Sequence, residues 1–165
     1  GASTIFHRSE AQWQHQIFQF DDWPAGGMLT PTLAGTRPGG AIASAWAVMN
    51  YLGVEGYRQK ARQVTDTRQK LMQAIREMDG LCTHGDPQLG LFSYGSTRLD
   101  PFAIWGRMAR RGWFTGLTTE PRGIHLMLSP AHAGVADEYL ADLRASVAEV
   151  KESGESAAGT KARYA

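Results

Sequence analysis

The chain has 165 residues, a formal net charge of +1, 42% hydrophobic residues and 20% charged residues, as expected for one globular domain. This near-neutral charge gives no reason to expect a nucleic acid or an anionic membrane as a partner. Cys82 is the only cysteine, which excludes an internal disulfide framework and fits a reducing compartment.

No segment of the sequence is long and apolar enough to span a bilayer. The longest apolar run, residues 41–52, is interrupted by Ser44 and Asn50. A cytoplasmic location is therefore expected. The first residue is Gly1 rather than methionine, so the chain is expected to be an interior piece of a longer polypeptide. A membrane anchor upstream of it stays open.

The first part of the chain predicts few regular elements. Residues 2–8 alternate in polarity as a strand does, and residues 16–20 predict a second short extended piece. Residues 21–40 hold many Gly, Pro and Thr and predict irregular structure. A first helix is expected over residues 40–52, because apolar side chains recur there at helical spacing, and Gly53 and Gly56 are expected to interrupt it.

The rest of the chain predicts an α+β domain in which helices pack on a short antiparallel sheet. Asp100 and Pro101 have the pattern of an N-cap followed by proline at the first helical position. Residues from 151 onward are small and polar and predict a loosely held tail. The predicted elements are a helix up to Gly80, strands at 81–84 and 89–94, a helix from Asp100 to Gly112, a strand at 124–128 and a helix from Ser129.

One hydroxyl- and glycine-rich turn carries an arginine and leads into the first helix. Residues 30–40 read Thr-Pro-Thr-Leu-Ala-Gly-Thr-Arg-Pro-Gly-Gly. The free N–H groups and the dipole at a helix N-terminus favour an anion such as phosphate. A threonine hydroxyl and an arginine guanidinium add donors that phosphate accepts. The alternative is a turn that only caps a core helix, and local chemistry leaves both open.

Other catalytic patterns are missing from the sequence. The five histidines never lie at i, i+4 spacing and the lone Cys82 cannot complete a zinc quartet, so no metal site is expected. Neither a G-x-S-x-G nucleophile motif nor the Gly-Lys-Ser/Thr ending of a Walker loop is present. The residues alone therefore indicate an α+β domain with one candidate anion-binding turn.

A resemblance extends this interpretation. Residues 22–27, Asp-Trp-Pro-Ala-Gly-Gly, followed by the turn at 30–40, resemble the corresponding stretch of sphingosine-1-phosphate lyases. These are pyridoxal 5'-phosphate (PLP) enzymes related to the group II amino-acid decarboxylases. The similarity continues in order through Trp46, Gly53, Glu55-Gly56-Tyr57, Gly85-Asp86-Pro87-Gln88-Leu89, Arg111-Gly112-Trp113, Ile124-His125, Ala157-Ala158-Gly159 and Tyr164.

The resemblance implies the fold of the aspartate-aminotransferase class (fold type I), of which this chain would be the C-terminal part. Residues 1–40 would follow the Schiff-base lysine region and include a dimer-interface loop. Residues 41–152 would form the small C-terminal α+β domain, and residues 153–165 a tail. The resemblance also implies a homodimer with shared active sites.

The resemblance assigns roles to four residues. Gly35 and Thr36 match the turn that donates hydrogen bonds to the PLP phosphate of the neighbouring subunit. Arg37 either binds an anionic group of the substrate or braces the dimer interface. Tyr164 aligns with a tyrosine implicated in proton handling during carbon–carbon cleavage. The alternative is that Tyr164 is an aromatic residue of a loosely held tail, without a catalytic role.

The implied activity is cleavage of a phosphorylated sphingoid base, a small phospholipid-derived molecule, to a fatty aldehyde and phosphoethanolamine. Two alternatives stay open: a PLP-dependent amino-acid decarboxylase, and a non-catalytic truncated dimerisation module. None of the four lysines matches the Schiff-base position of the family, so the isolated chain is expected to be inactive. They are Lys60, Lys70, Lys151 and Lys161.

Overall fold

The computed structural model describes residues 3–33, 35–157 and 159–160. Contacts divide the chain into two units, Gly1–Val54 and Glu55–Ala165. The elements in chain order are α1 (Glu10–Gln14), β1 (Phe18–Phe20), β2 (Met28–Thr30), α2 (Gly39–Glu77), β3 (Leu81–Thr83), β4 (Leu91–Ser96), α3 (Pro101–Arg110), β5 (Gly116–Thr119), β6 (Arg122–Met127), a 3-10 helix (Pro130–Gly134) and α4 (Ala136–Ser153).

The first unit contains a short helix and a two-stranded ribbon. Ser9 caps α1, since its Oγ accepts the N–H of Gln12 at 3.4 Å. The strands β1 and β2 pair antiparallel, with Phe18 opposite Thr30. The strand predicted over residues 2–8 is wrong for residues 3–8, none of which lies in a strand. The extended piece predicted at 16–20 is found as β1, while β2 lies in a region predicted to be irregular.

The helix α2 passes from the first unit into the second and is interrupted at Gly53. This glycine has φ 57° and ψ −173°, a conformation that side chains with a Cβ disfavour. The predicted first helix and its interruption at Gly53 are therefore confirmed, whereas Gly56, which was also expected to interrupt it, lies inside α2. The contact division falls after Val54, whereas the sequence places a segment boundary at residue 40. The predicted segment boundaries stay a prediction for the complete protein.

The second unit is a four-stranded antiparallel sheet with helices on one face. The strand order is β3-β4-β6-β5, and Phe92 and Tyr94 of β4 lie opposite Leu126 and Ile124 of β6. The predicted α+β class with helices on a short antiparallel sheet is confirmed. The core combines side chains from these two strands with those of the second part of α2, α3 and α4: Leu71, Ile75, Phe92, Tyr94, Ile104, Met108, Ile124, Leu126, Leu143 and Val150.

The last two helices begin and end near the predicted residues. Asp100 caps α3, accepting the N–H of Phe102 at 3.0 Å, and Pro101 is its first residue. The helix expected from Ser129 is divided into a 3-10 turn and α4. Gly154 ends α4 with φ 63°. Of the strands in this unit, β5 lies in a stretch for which the sequence predicted no element.

Candidate functional site

The candidate anion-binding turn follows β2 directly and is ordered by its own hydroxyl groups. Thr30 Oγ1 accepts the N–H of Thr32 at 3.2 Å and donates to the Thr32 carbonyl at 2.8 Å. Gln16 Nε2 donates to the Pro31 carbonyl at 2.8 Å, which connects the turn to the chain just before β1. These hydrogen bonds hold the turn from Thr30 to Thr32 and connect it to Gln16.

Gly35 and Thr36 lie between this hydroxyl-bonded turn and the start of α2 at Gly39, and both are exposed. A Cβ at Gly35 would meet no atom within 4 Å, so this part of the turn has open space above it. The adjacent helix start presents N–H groups that have no partner within the helix. An exposed hydroxyl and backbone next to a helix N-terminus form the donor set that a phosphate group accepts.

Arg37 lies in the same turn, beside Thr32. Its Nη1 donates to Thr32 Oγ1 at 2.6 Å, so the guanidinium is oriented along the turn by a residue five positions earlier. This contact agrees with either role expected from the sequence, anion binding or bracing of an interface. Tyr164, the fourth predicted site residue, lies outside the described residues. The structure thus brings together Arg37 and Thr32.

The unit that carries the turn has no core of its own. None of residues 3–33 and 35–54 is buried. Many of its large apolar side chains are exposed by more than half, and they come from β1, β2, the first part of α2 and the segments between and before these elements. They include Ile5, Phe6, Phe18, Trp23, Leu29, Leu33, Ile42, Trp46, Met49, Tyr51 and Val54. Exposed large apolar side chains in this number indicate a surface that packs against further polypeptide.

A second polar cluster, in the second unit, was not found by sequence reasoning. Asp100 forms an ion pair with Arg122, with Oδ1 and Nε 3.1 Å apart, and its Oδ2 accepts the N–H of Ala157 at 2.7 Å. Burial opposes ionisation of Asp100, but hydrogen bonds from Arg122, Ala157 and Phe102 outweigh it and lower the pKa of this carboxyl. The carboxylate is therefore ionised at neutral pH.

Glu149 of α4 lies opposite two arginines of the α3 end. Its pKa is lowered, chiefly by the hydrogen bond from Arg111, and Arg107 Nη1 lies 3.1 Å from its Oε2. Arg107 also donates through Nε to Glu155 Oε2 at 2.7 Å. The basic residues at the end of α3 are thus paired with acidic residues of α4 and of the segment that follows it.

The described residues contain no group of three or more His, Cys, Asp or Glu side chains that could hold a metal ion. Among these same residues, no helix has the length and apolar character needed to cross a bilayer.

Comparisons with known proteins give consistent similarities over nearly the whole chain. The chain is 35% identical to the sphingosine-1-phosphate lyase of Arabidopsis thaliana over 151 residues, 92% of this chain and 28% of that protein. It is 34% identical to the Drosophila melanogaster sphingosine-1-phosphate lyase over 167 residues, 99% of this chain and 31% of that protein. A solved structure of the Burkholderia pseudomallei sphingosine-1-phosphate lyase matches with a TM-score of 0.79 at 30% identity. That match covers 88% of this chain and 34% of the solved chain.

No model of a known protein family matches the chain. The chain spans less than a third of the length of these two curated relatives.

Proposed function

Since the chain belongs to the sphingosine-1-phosphate lyase family, we propose that it is the C-terminal portion of a PLP-dependent lyase. The substrate is a phosphorylated sphingoid base, and the products are a fatty aldehyde and phosphoethanolamine. The observation that carries the proposal is the similarity to these lyases along 92–99% of the chain. A cytoplasmic location belongs to the same proposal, and the single Cys82 fits a reducing compartment.

In this proposal the turn binds the phosphate of PLP. The Thr36 hydroxyl and the Gly35 N–H donate to it, and the N-terminus of α2 adds its dipole. The exposure of both residues and the open space at Gly35 support this assignment. Arg37, oriented by Thr32, either adds a charge near an anionic group or braces the interface.

Bound PLP supplies an electron sink for the electron pair that carbon–carbon cleavage leaves on the amine-bearing carbon. The part assigned to this chain is anchoring and proton handling. Tyr164 is the candidate acid or base at the substrate hydroxyl, whose proton must leave as the adjacent carbon–carbon bond breaks. The Schiff-base lysine belongs to another part of the complete protein, so the isolated chain is inactive in this proposal.

The complete protein is proposed to be a homodimer with shared active sites. The support is the apolar surface of the first unit, since Phe6, Leu33 and Tyr51 are 89%, 108% and 88% exposed. Large apolar side chains at this exposure indicate a surface that packs against polypeptide outside this chain, which in the proposed enzyme is both the rest of the same subunit and the neighbouring subunit. In the proposed dimer, a turn on such a surface reaches the active site of the neighbouring subunit.

The function is tested with the complete gene product that contains this chain. It is incubated with a phosphorylated sphingoid base, and the long-chain aldehyde and phosphoethanolamine are quantified. In parallel, carbon dioxide release is measured from a panel of amino acids. Equimolar aldehyde and phosphoethanolamine support the lyase. Carbon dioxide release without aldehyde would instead identify a decarboxylase. If neither aldehyde nor carbon dioxide is released, the remaining alternative is a non-catalytic dimerisation module.

A further inference from the structure

Arg68, in the second part of α2, is a buried cation that has no acidic partner. Its residue is 7% exposed, and its Nη1 donates to the Pro87 carbonyl. Within the part of the chain that the structure describes, no Asp or Glu side chain forms an ion pair with it. A buried charge is normally paired, because it loses its hydration without other compensation. Arg68 therefore lacks a counter-ion.

One edge of the Arg68 guanidinium is unpaired. Its Nε is buried and has no hydrogen-bond partner among the described residues. Its Nη2 likewise makes no hydrogen bond to any of them. Nε and Nη2 together form an edge with parallel N–H donors, and this is the geometry in which arginine binds a carboxylate or a phosphate through two hydrogen bonds. The unpaired edge therefore fits an oxyanion.

The Arg68 side chain lines a groove between α2 and the loop that follows β3. The groove has a volume of about 620 Å³. The helix contributes Arg68 and Arg76 among other residues, and the loop contributes residues 86–88. Sites for small molecules have volumes of about 300–1,000 Å³ and carry a few polar groups that fix the ligand. The groove is thus large enough for a small molecule that carries an oxyanion.

Arg76 brings a second positive charge to the same groove. Its Nε donates to Thr83 Oγ1 at 2.7 Å, which orients the guanidinium from β3. Its Nη1 and Nη2 make no hydrogen bond to a described residue. Unlike Arg68, Arg76 is exposed. The groove therefore has one buried and one exposed guanidinium, each with unpaired donors.

Two acidic side chains also line the groove, and both already accept a hydrogen bond. Glu77 Oε1 accepts Nε2 of Gln73 at 3.1 Å, and Asp86 Oδ2 accepts Nε2 of Gln88 at 3.0 Å. Both acidic residues are exposed, whereas Arg68 is buried. Their charges are therefore screened by solvent, and they weaken the attraction of the groove for an anion without cancelling it.

We propose that this groove binds the phosphate or carboxylate group of a small molecule, with Arg68 as the main ligand and Arg76 as a second cation. We call it the Arg68 groove. The bound oxyanion supplies the counter-ion that Arg68 lacks within the described residues. None of the residues that line the groove belongs to the turn at residues 30–40. The inference goes beyond the proposed function and does not depend on which reaction the complete protein catalyses.

The site is tested in the complete gene product saturated with PLP, so that added phosphate does not compete for the position of the PLP phosphate. Binding of radiolabelled inorganic phosphate is measured by equilibrium dialysis at constant ionic strength, and labelled acetate is measured in parallel. Arg68→Met removes the guanidinium and keeps an apolar stem. The matched control is Arg98→Met, which removes an exposed arginine that pairs with Asp79 and does not line the groove.

We expect the wild type to bind at least one of the two anions at a site whose affinity falls by at least about tenfold in Arg68→Met, the effect of losing a hydrogen bond to a charged group. Arg98→Met should bind as the wild type does. Asp86→Asn removes a negative charge from the groove and should tighten binding by about two- to fivefold. A gain in affinity is not expected if Arg68 serves only to hold the loop.

Equal phosphate and acetate binding by the wild type and Arg68→Met would overturn the site, and so would weaker binding by Asp86→Asn. Should Arg68→Met not fold, the exposed Arg76→Gln replaces it, with an expected loss of about two- to fivefold. Unchanged binding in both Arg76→Gln and Asp86→Asn would then overturn the site. Because no sphingoid substrate is present, failure of the lyase assay and failure of this site are separate results.

Discussion

The hydroxyl oxygens of Tyr94 and Tyr139 lie 2.6 Å apart in the core of the second unit. The two side chains are 0% and 5% exposed, and Trp113 packs edge-on against Tyr139 with the ring centres 5.1 Å apart. Each hydroxyl is the hydrogen-bonding partner of the other in an otherwise apolar environment. An unpaired buried hydroxyl loses its hydration without compensation. Removing one of the two hydroxyls should therefore lower the free energy of unfolding by more than removing both.

We expect Tyr139→Phe to lower the free energy of unfolding by about 1–3 kcal/mol, since it leaves the Tyr94 hydroxyl buried without its partner. The double variant, with Phe at both positions, should lie closer to the wild type than Tyr139→Phe does. Urea unfolding followed by circular dichroism measures both values. A double variant that loses as much as the sum of the two single losses would show that the pair is not coupled.

The same pair predicts a loss of stability at alkaline pH. Burial is the main cause that raises the pKa of both Tyr94 and Tyr139 above the ordinary tyrosine value. A pKa that is higher in the folded state means that the folded protein holds its protons more tightly than the unfolded chain. The contribution of this difference to the free energy of unfolding is fully present below about pH 10, where tyrosine in the unfolded chain begins to ionise. It is lost as the pH rises further.

The free energy of unfolding, measured in urea between pH 8 and 11, should therefore fall more steeply for the wild type than for the double phenylalanine variant. The unfolding of the double variant exposes two fewer phenols that can ionise. Equal slopes for the two proteins would contradict the raised pKa values. The comparison uses wild type and variant at each pH, so alkaline effects on lysines and on the other tyrosines cancel.

The features that the sequence predicted correctly are those that depend on residues close together in the chain. The capping of α3 by Asp100 was predicted because the accepting carboxylate and the donating N–H of Phe102 are only two residues apart. The contact of Asp100 with Ala157 spans 57 positions and has no local signature, so the bound tail was missed. The helix α1 could have been found, because Ser9 and Gln12 have the spacing of a capping box. The threonine- and glycine-containing β5 has too few apolar residues to show a period.

The phosphate assignment is tested by Thr36→Ala in the complete enzyme. We expect PLP binding to weaken by about 1.5–3 kcal/mol, the value of one hydrogen bond to a charged group. The measurement is the PLP concentration that restores half of the activity to the resolved apoenzyme. Ser44→Ala is the matched control, because the Ser44 hydroxyl donates to the Gly40 carbonyl within the helix at 2.8 Å. Equal PLP affinity for Thr36→Ala and the wild type would remove Thr36 from the site.

The isolated chain should bind no PLP covalently. By resemblance, none of Lys60, Lys70, Lys151 and Lys161 occupies the Schiff-base position. The chain is incubated with PLP, reduced with borohydride and analysed by peptide mass spectrometry. We expect only low labelling distributed over several lysines. Stoichiometric labelling of one lysine, lost when that lysine is replaced by arginine, would show that the chain carries its own PLP site.

Two glycines allow the strands of the second unit to approach closely. A Cβ at Gly95 would lie 2.7 Å from the Arg122 carbonyl oxygen, and one at Gly123 would lie 2.5 Å from the Tyr94 carbonyl oxygen. Backbone atoms inside a sheet cannot move aside without breaking ladder hydrogen bonds. We therefore expect Gly123→Ala to lower the free energy of unfolding by about 1–3 kcal/mol or more, the cost of overpacking a core.

The matched control is Gly106→Ala in α3, where an added Cβ would meet no atom within 4 Å. Alanine is the better helix former, so this change should raise the free energy of unfolding by about 0.5–1 kcal/mol. The two substitutions add the same methyl group and should shift the urea midpoint in opposite directions. If Gly123→Ala proved neutral, the close approach of β4 to β6 at this position would be wrong, because the change in chain entropy alone favours alanine.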